Sequence, residues 1–244
     1  MSVKSVKTKT NTQMSSMFEI LMGLPLFKGV SRERMSKTVG VSKFHFLKYP
    51  DGEVIYRAGD PCTDLTFILS GMVNITVADE HNKFSVSQIV SAKDVISPEF
   101  LFGRHTSYPG TAVAVGPVSL LRISKSDYIN ILNSDTIFLL NYLNQLSVSS
   151  QKSIEGILAV SVGSLAERIA LWISTMTQAR SHDIVLKCSR CDLSALFGVS
   201  HSVLSDTLDD LAEQGLIEYT SDTIKVLDRP RLISLLRNHA EAAE

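Results

Sequence analysis

The segment from Ser189 to Tyr219, SRCDLSALFGVSHSVLSDTLDDLAEQGLIEY, constrains the fold more than any other part of the chain. Its spacing predicts two short helices joined by a tight turn. Leu193, Leu196 and Phe197 fall on the inner face of the first, Gly198 supplies a turn position tolerant of positive φ, and Ser200 caps the second. In the second helix Val203, Leu204, Thr207, Leu208 and Leu211 lie at helical spacing for burial, which leaves His201, Ser202, Ser205, Asp206 and Asp209 outward. Ser194, a glycine four positions on and Leu204 six after that match a helix-turn-helix, whose second helix enters the major groove of double-stranded DNA.

Gly215 to Tyr219, Thr220-Ser221-Asp222, and Thr223 to Val226 then read as strand, turn, strand. This is a wing, and it separates the segment from a generic helical hairpin.

A chain of 244 residues is long enough for two modest domains. Its apolar runs fall short of the roughly 18 to 20 residues that span a bilayer, and Met1 to Met17 lacks the apolar stretch of a secretory signal. The expectation is a cytoplasmic protein that does not insert into membranes. Three cysteines, Cys62, Cys188 and Cys191, are too few for a disulfide framework, which fits a reducing compartment. Cys188-Ser-Arg-Cys191 has CxxC spacing without a second pair or a finger-type histidine arrangement, so no metal site is expected. No nucleophile with its base, phosphate loop or paired acids at useful spacing marks an enzyme, and no catalytic residue is assigned.

From Phe44 the pattern turns to short strands with regular punctuation. Pro50-Asp51-Gly52, Ala58-Gly59-Asp60 and Ser70-Gly71 read as turns, and Leu65 to Leu69, Met72 to Ala78 and Phe84 to Val90 as strands of a small antiparallel barrel or β-roll. The stretch PDGEVIYRAGDPCTDLTFILSGMVNI is similar to the β-roll of the cyclic-nucleotide-binding superfamily: Gly52, Gly59, Asp60 and Gly71 match the turns, and Leu65, Phe67 and Ile68 the packed strand. Joined to the C-terminal helix-turn-helix and wing, it resembles the cyclic-AMP-receptor and fumarate-nitrate-regulator family of bacterial transcription factors over about Leu21 to Val226.

That resemblance implies an α+β architecture: a flexible tail (1–17), an effector-sensing β-roll domain (18–134), a dimerisation helix (135–162) and a winged helix-turn-helix domain (163–244). It also implies a homodimer, with RNA polymerase as a further partner.

In nucleotide-binding members a Gly-Glu pair and, some ten residues on, an Arg hold the ribose and phosphate. Here Ser97-Pro98 stands where Gly-Glu is expected and Gly110 where Arg is expected. Glu99 is one residue late, and Arg104 lies in the loop. Without the arginine the phosphate loses charge-assisted hydrogen bonds worth roughly 1.5 to 3 kcal/mol each, so weak or absent cyclic AMP binding is expected. The expected effector is an unidentified small molecule with no cofactor assigned, in a pocket of Glu99, Arg104, Thr111, Ser153 and Ile154.

Asn133-Ser134-Asp135 opens a helical pattern that runs to Val162, with one seam at coiled-coil spacing through Leu139, Leu143, Leu146, Ser150, Ser153, Ile157 and Val160. By resemblance it is the dimer seam. Gly163-Ser164 interrupts the pattern as a hinge, and Leu165, Ile169, Trp172, Ile173 and Met176 form the core face of the next helix.

The expected DNA contacts are Arg190, Ser200, His201, Ser202, Ser205, Asp206 and Lys225, with further positive charge from Lys187, Arg229, Arg231 and Arg237. Family members that read well-known operators carry Arg and Glu early in the recognition helix and Arg one turn later. His201, Ser202 and Asp206 occupy those positions here, so the family's base code does not transfer. Residues 150–244 hold 9 Lys and Arg against 13 Asp and Glu, an unfavourable balance for phosphate contact. A regulator controlled by an effector is the leading expectation; the alternative is a family-shaped dimer that acts through protein partners without binding DNA.

Overall fold

The computed structural model describes residues 19, 21–81, 83–159 and 163–236. Six strands build the N-terminal unit: β1 (His45–Tyr49), β2 (Val54–Tyr56), β3 (Asp64–Ala78), β4 (Ser85–Ser91), β5 (Val95–Ile96) and β6 (Gly110–Ser124). Its spine is the antiparallel pair of 15-residue strands β3 and β6. β1 and β2 pair with β6, and β4 and β5 with β3. Strict alternation of buried and half-buried positions along β4 gives the strand one face toward a core.

Ser70-Gly71 is not the turn its composition predicts. β3 runs straight through it with a register shift, a β-bulge in which Gly71 takes φ 87°. A Cβ on Gly71 would lie 2.4 Å from the Pro117 carbonyl oxygen, so only glycine fits.

Phe67, Ile68, Leu120, Leu121 and Ile123 are fully buried between the strands, each fully buried side chain contributing about 1.5–3 kcal/mol. The N-terminal 3-10 turn Pro25–Phe27 places Phe27 against Phe67 and Phe138 at 5.9 and 5.6 Å between ring centroids. Helix α1 (Arg32–Val41) follows, with the Ser31 side chain accepting from the Arg34 N–H. Arg34 then pairs with Asp135 at 2.6 Å, which ties this entry segment to the start of the long helix.

Helix α2 (Lys125–Ser134), capped by Ser124, follows β6 directly and ends at Ser134, just before the long helix begins. The long helix α3 (Thr136–Ala159) has 24 residues, about 36 Å at 1.5 Å per residue. It carries two apolar faces. Phe138 and Tyr142, four residues apart, are buried in the β-roll core and Leu146 packs at its edge, while Leu139, Leu140, Leu143, Val148 and Ile154 are exposed.

The C-terminal unit contains α4 (Leu165–Met176), β7 (His182–Lys187), α5 (Arg190–Phe197), α6 (His201–Glu213), β8 (Ile217–Tyr219), β9 (Thr223–Val226) and α7 (Arg229–Ser234). Ser164 and Glu167 form a reciprocal capping box at the start of α4. Ile169, Trp172 and Ile173 pack with Ile184, Leu186, Leu204, Leu208 and Leu211. The two units share a sheet: β7 pairs antiparallel with β4, giving the order β1-β6-β3-β4-β7-β9-β8 with β2 and β5 alongside. Among the described residues no helix is long and apolar enough to cross a membrane.

Candidate nucleic-acid interface and effector cavity

The reading head begins with α5, where the Ser189 hydroxyl accepts from the Asp192 N–H. Gly198 ends that helix at φ 63°, its N–H bonded to the Ala195 carbonyl. The Ser200 hydroxyl accepts from the Val203 N–H and starts α6. Leu193, Ser194 and Phe197 of α5 and Leu204, Leu208 and Leu211 of α6 are buried. Arg168 reaches across from α4, donating to the Phe197 carbonyl and lying 5.5 Å from that ring's centroid.

Two side chains depart from the helical-wheel expectation. Leu196 is 44% exposed and Val203 is 48% exposed. α5 and α6 cross at the turn and bury only a narrow strip, so Val203, near the start of α6, joins His201, Ser202 and Asp206 on the open face while Ser205 is half-buried. The α6 sequence HSVLSDTLDDLAE contains no Lys or Arg.

β8 and β9 form the wing, with Lys225 exposed on β9 opposite Glu218. Arg190 lies over the Tyr219 ring at 5.1 Å, and the Tyr219 hydroxyl donates to Asp209 Oδ1 at 2.5 Å. Arg190 is thus committed to the joint between α5 and the wing. Arg229 is committed too: Nη1 donates to the Ala179 carbonyl at 2.8 Å, and Nε and Nη2 to Thr177 Oγ1 at 3.3 Å. Burial lowers the pKa of that guanidinium. Lys187 and Arg231 are exposed; Arg237 lies outside the described residues.

A cavity of about 450 Å³ opens where β3, β4 and the segment before β6 face α3 and the stretch Thr175–Arg180. Glu99 and Ser153 line it, as do Gln88, Asp94, Gln145 and Ser149, and Arg180 is the one Lys or Arg among its described lining residues. Burial pushes the Glu99 carboxyl pKa up, a shift its own backbone N–H partly offsets. Gln145 Oε1 is buried without a hydrogen-bond partner. Arg104 sits on an exposed loop and Thr111 accepts from the Ala58 N–H, both away from the lining, and Ile154 is 57% exposed on the outer face of α3.

Of the coiled-coil seam, Leu139, Leu143, Ser150 and Ser153 are exposed and Leu146 is half-buried. The side chain of Ile157 and all of Val160 lie outside the described residues. Cys188 is buried and Cys191 exposed, and no group of three or more His, Cys, Asp or Glu suited to a metal occurs among the described residues.

The profile of the cyclic nucleotide-binding domain matches residues 46–135, and that of the Crp-like helix-turn-helix domain residues 167–235. The chain belongs to the cyclic-AMP-receptor and fumarate-nitrate-regulator family. Members of this family are transcription regulators that join a cyclic-nucleotide-type sensor domain to a DNA-binding helix-turn-helix, and the two profiles fall on the two units of this chain in that order.

The cAMP-activated global transcriptional regulator CRP of Haemophilus influenzae is 21% identical over 187 residues, covering 75% of this chain and 84% of that protein. The cyclic AMP receptor protein of Thermus thermophilus is 23% identical over 211 residues, covering 84% and 94%. Among solved structures, the sensor domain of the transcriptional regulator DNR from Pseudomonas aeruginosa aligns with a TM-score of 0.50 at 20% identity, over 62% of this chain and 96% of that one.

Against the family's ligand cassette, three positions stand out. Ser97, at the expected glycine, keeps the left-handed backbone a glycine would adopt, with φ 46° and ψ 48°. Pro98, at the expected glutamate, uses its carbonyl to accept from the buried Tyr142 hydroxyl at 3.2 Å, docking the cassette onto α3. Gly110, at the expected arginine, lies opposite Val77 in the β3–β6 register, and a Cβ there would meet the Thr76 carbonyl oxygen at 2.4 Å. That a side chain does not fit at this position follows from the neighbouring backbone of β3.

Proposed function

We propose that the protein is a cytoplasmic, homodimeric, sequence-specific DNA-binding regulator whose β-roll senses a small molecule other than cyclic AMP. What carries this reading is the pairing of an open recognition face, His201, Ser202, Val203 and Asp206, with a cavity of about 450 Å³ in the same chain. The exposed leucines of α3 supply the dimer seam, and two heads presented by paired helices would address half-sites about 34 Å apart. RNA polymerase is the further partner by family membership.

The base-reading residues in this proposal are His201, Ser202 and Asp206, with Val203 offering an apolar contact to a thymine methyl and Asp206 accepting from a cytosine amino group. Ser200, Ser205 and Lys225 flank them. Cyclic AMP is disfavoured because Gly110 stands where the family's phosphate-holding arginine is expected, and a Cβ there would lie 2.4 Å from the Thr76 carbonyl oxygen. Selection from random oligonucleotides with the full chain, followed by footprinting, should enrich one motif, and calorimetry should show no micromolar cyclic AMP affinity. An unenriched pool rejects the DNA reading.

One observation favours a second reading. α6 carries Asp206, Asp209, Asp210 and Glu213 and no Lys or Arg, as a surface for a basic protein partner would. A footprint on the protein's own promoter separates the two.

A further inference from the structure

Strand pairing makes one part of the contact between the two units, beside the approach of α3 and α4 on either side of Gly163. β4 lies between β3 and β7, with Ser85, Val86 and Ser87 opposite Lys187, Leu186 and Val185 and, after a register shift, Ile89 opposite His182. Side chains reinforce the seam. Val86 is buried in the core of the reading head, not in that of the β-roll to which its strand belongs. Phe84 packs on Trp172 with ring centroids 5.5 Å apart. The buried Gln88 accepts from the Gln178 N–H at 2.8 Å, and Ser91 Oγ and His182 Nε2 are 2.9 Å apart.

Opening this seam would leave each unit its own partners. β4 keeps seven registered pairs with β3, and β7 keeps its pairing with β9. The main core of each unit is built from its own residues, with Val86 and the half-buried Phe84 as the exceptions. The covalent connection runs through Gly163 at φ 95°, next to the capping box of α4. A contact of few pairs, flanked by two self-sufficient sheets, opens at lower free energy than either unit unfolds.

We propose that the β4–β7 pairing is a reversible latch that fixes the orientation of the reading head against the β-roll. The cavity straddles it: Gln88 and Glu99 belong to one side, Gln178 and Arg180 to the other. Opening removes one wall, so occupancy of the cavity and closure of the latch are linked, each favouring the other. That consequence rests on the effector reading above; the latch itself needs neither DNA nor effector to be observed.

Hydrogen exchange of the full-length protein, read by mass spectrometry, tests it. In the latch, amides of His182–Lys187 and Ser85–Ser91 that face the seam exchange through an opening faster than the one that releases the β3–β6 amides. Phe84→Ala and, separately, Gln88→Ala accelerate seam exchange about tenfold or more and leave β3–β6 protection unchanged. Ser85→Cys/Lys187→Cys, in a Cys188→Ser/Cys191→Ser background, cross-links on oxidation and suppresses the fast opening, which returns on reduction. The latch is overturned if seam amides exchange only together with β3–β6 in every variant, if they are unprotected in the native chain, or if the cysteine pair does not cross-link.

Discussion

The Tyr219 hydroxyl of the wing donates to Asp209 Oδ1 of the recognition helix at 2.5 Å, with Arg190 stacked on the same ring. One of the four acidic side chains of α6 is therefore spent on holding the wing, and that bond fixes the angle between wing and helix. Tyr219→Phe should cost about 0.5–1 kcal/mol in chemical denaturation, because the bond is solvent-exposed, and should weaken operator binding more than non-specific binding. Both are measured on one preparation, with fluorescence anisotropy for the DNA.

The same bond sets a pH dependence. The neighbouring Asp209 raises the Tyr219 pKa, chiefly through the hydrogen bond to the protonated phenol. A raised folded-state pKa means the contribution is fully present below the unfolded tyrosine value near 10 and is lost as pH rises through the folded value. Ultraviolet titration should show Tyr219 ionising later than a free tyrosine, and Asp209→Asn should remove the bond's charge-assisted part and bring ionisation earlier.

Asp206 and Asp210 are exposed with no side-chain hydrogen bond or ion pair among the described residues, and they oppose phosphate approach. Asp210→Asn should raise non-specific DNA affinity about two- to tenfold at low salt, and Asp210→Lys should steepen the log–log salt slope by about one. Asp206→Asn should in addition relax base preference at one position of a selected motif.

Gly110→Arg restores the arginine of the family's phosphate site in sequence only. A Cβ 2.4 Å from the Thr76 carbonyl oxygen must push β6 off β3. The variant should lose at least about 2 kcal/mol of stability and gain no cyclic AMP affinity, as read by denaturation and calorimetry side by side.

Leu143 is 47% exposed on α3, about 100° round the helix from the buried Tyr142. Leu143→Glu should leave the monomer's melting temperature within about 2 °C and shift sedimentation at micromolar concentration from dimer to monomer.

Arg229 ties the start of α7 to Thr177 and Ala179 through three hydrogen bonds. Its replacement by Ala should destabilise the C-terminal unit by about 1–3 kcal/mol, visible as earlier melting reported by Trp172 fluorescence.

Much of this molecule was legible from local chemistry. Glycine at 198 and serine at 200 dictate the turn and cap of the helix-turn-helix because each acts on backbone groups within three or four residues of itself. The missing cassette arginine and the acidic balance of residues 150–244 are equally plain in the sequence. Where the structure departs from what local spacing suggests, the deciding partner is remote. Val203 has the spacing of a core residue yet lies in the open, since the crossing of α5 and α6 decides which strip is covered. Arg190 and Arg229, read from the sequence as sources of positive charge, also have structural contacts that local spacing does not show: Arg190 lies over the Tyr219 ring, and Arg229 bonds to Thr177 and Ala179.

Sequence alone determined the two units, their order and the chemistry each can offer, because periodicity, caps and turn residues are properties of short stretches of chain. Tertiary structure decided the rest: that Gly110 has no room for a side chain, that the cavity has walls from both units, and that β4 accepts β7 as a neighbour. Those outcomes depend on backbone edges and surfaces meeting across many residues, and a strand's open edge presents the same amides and carbonyls whatever its side chains are.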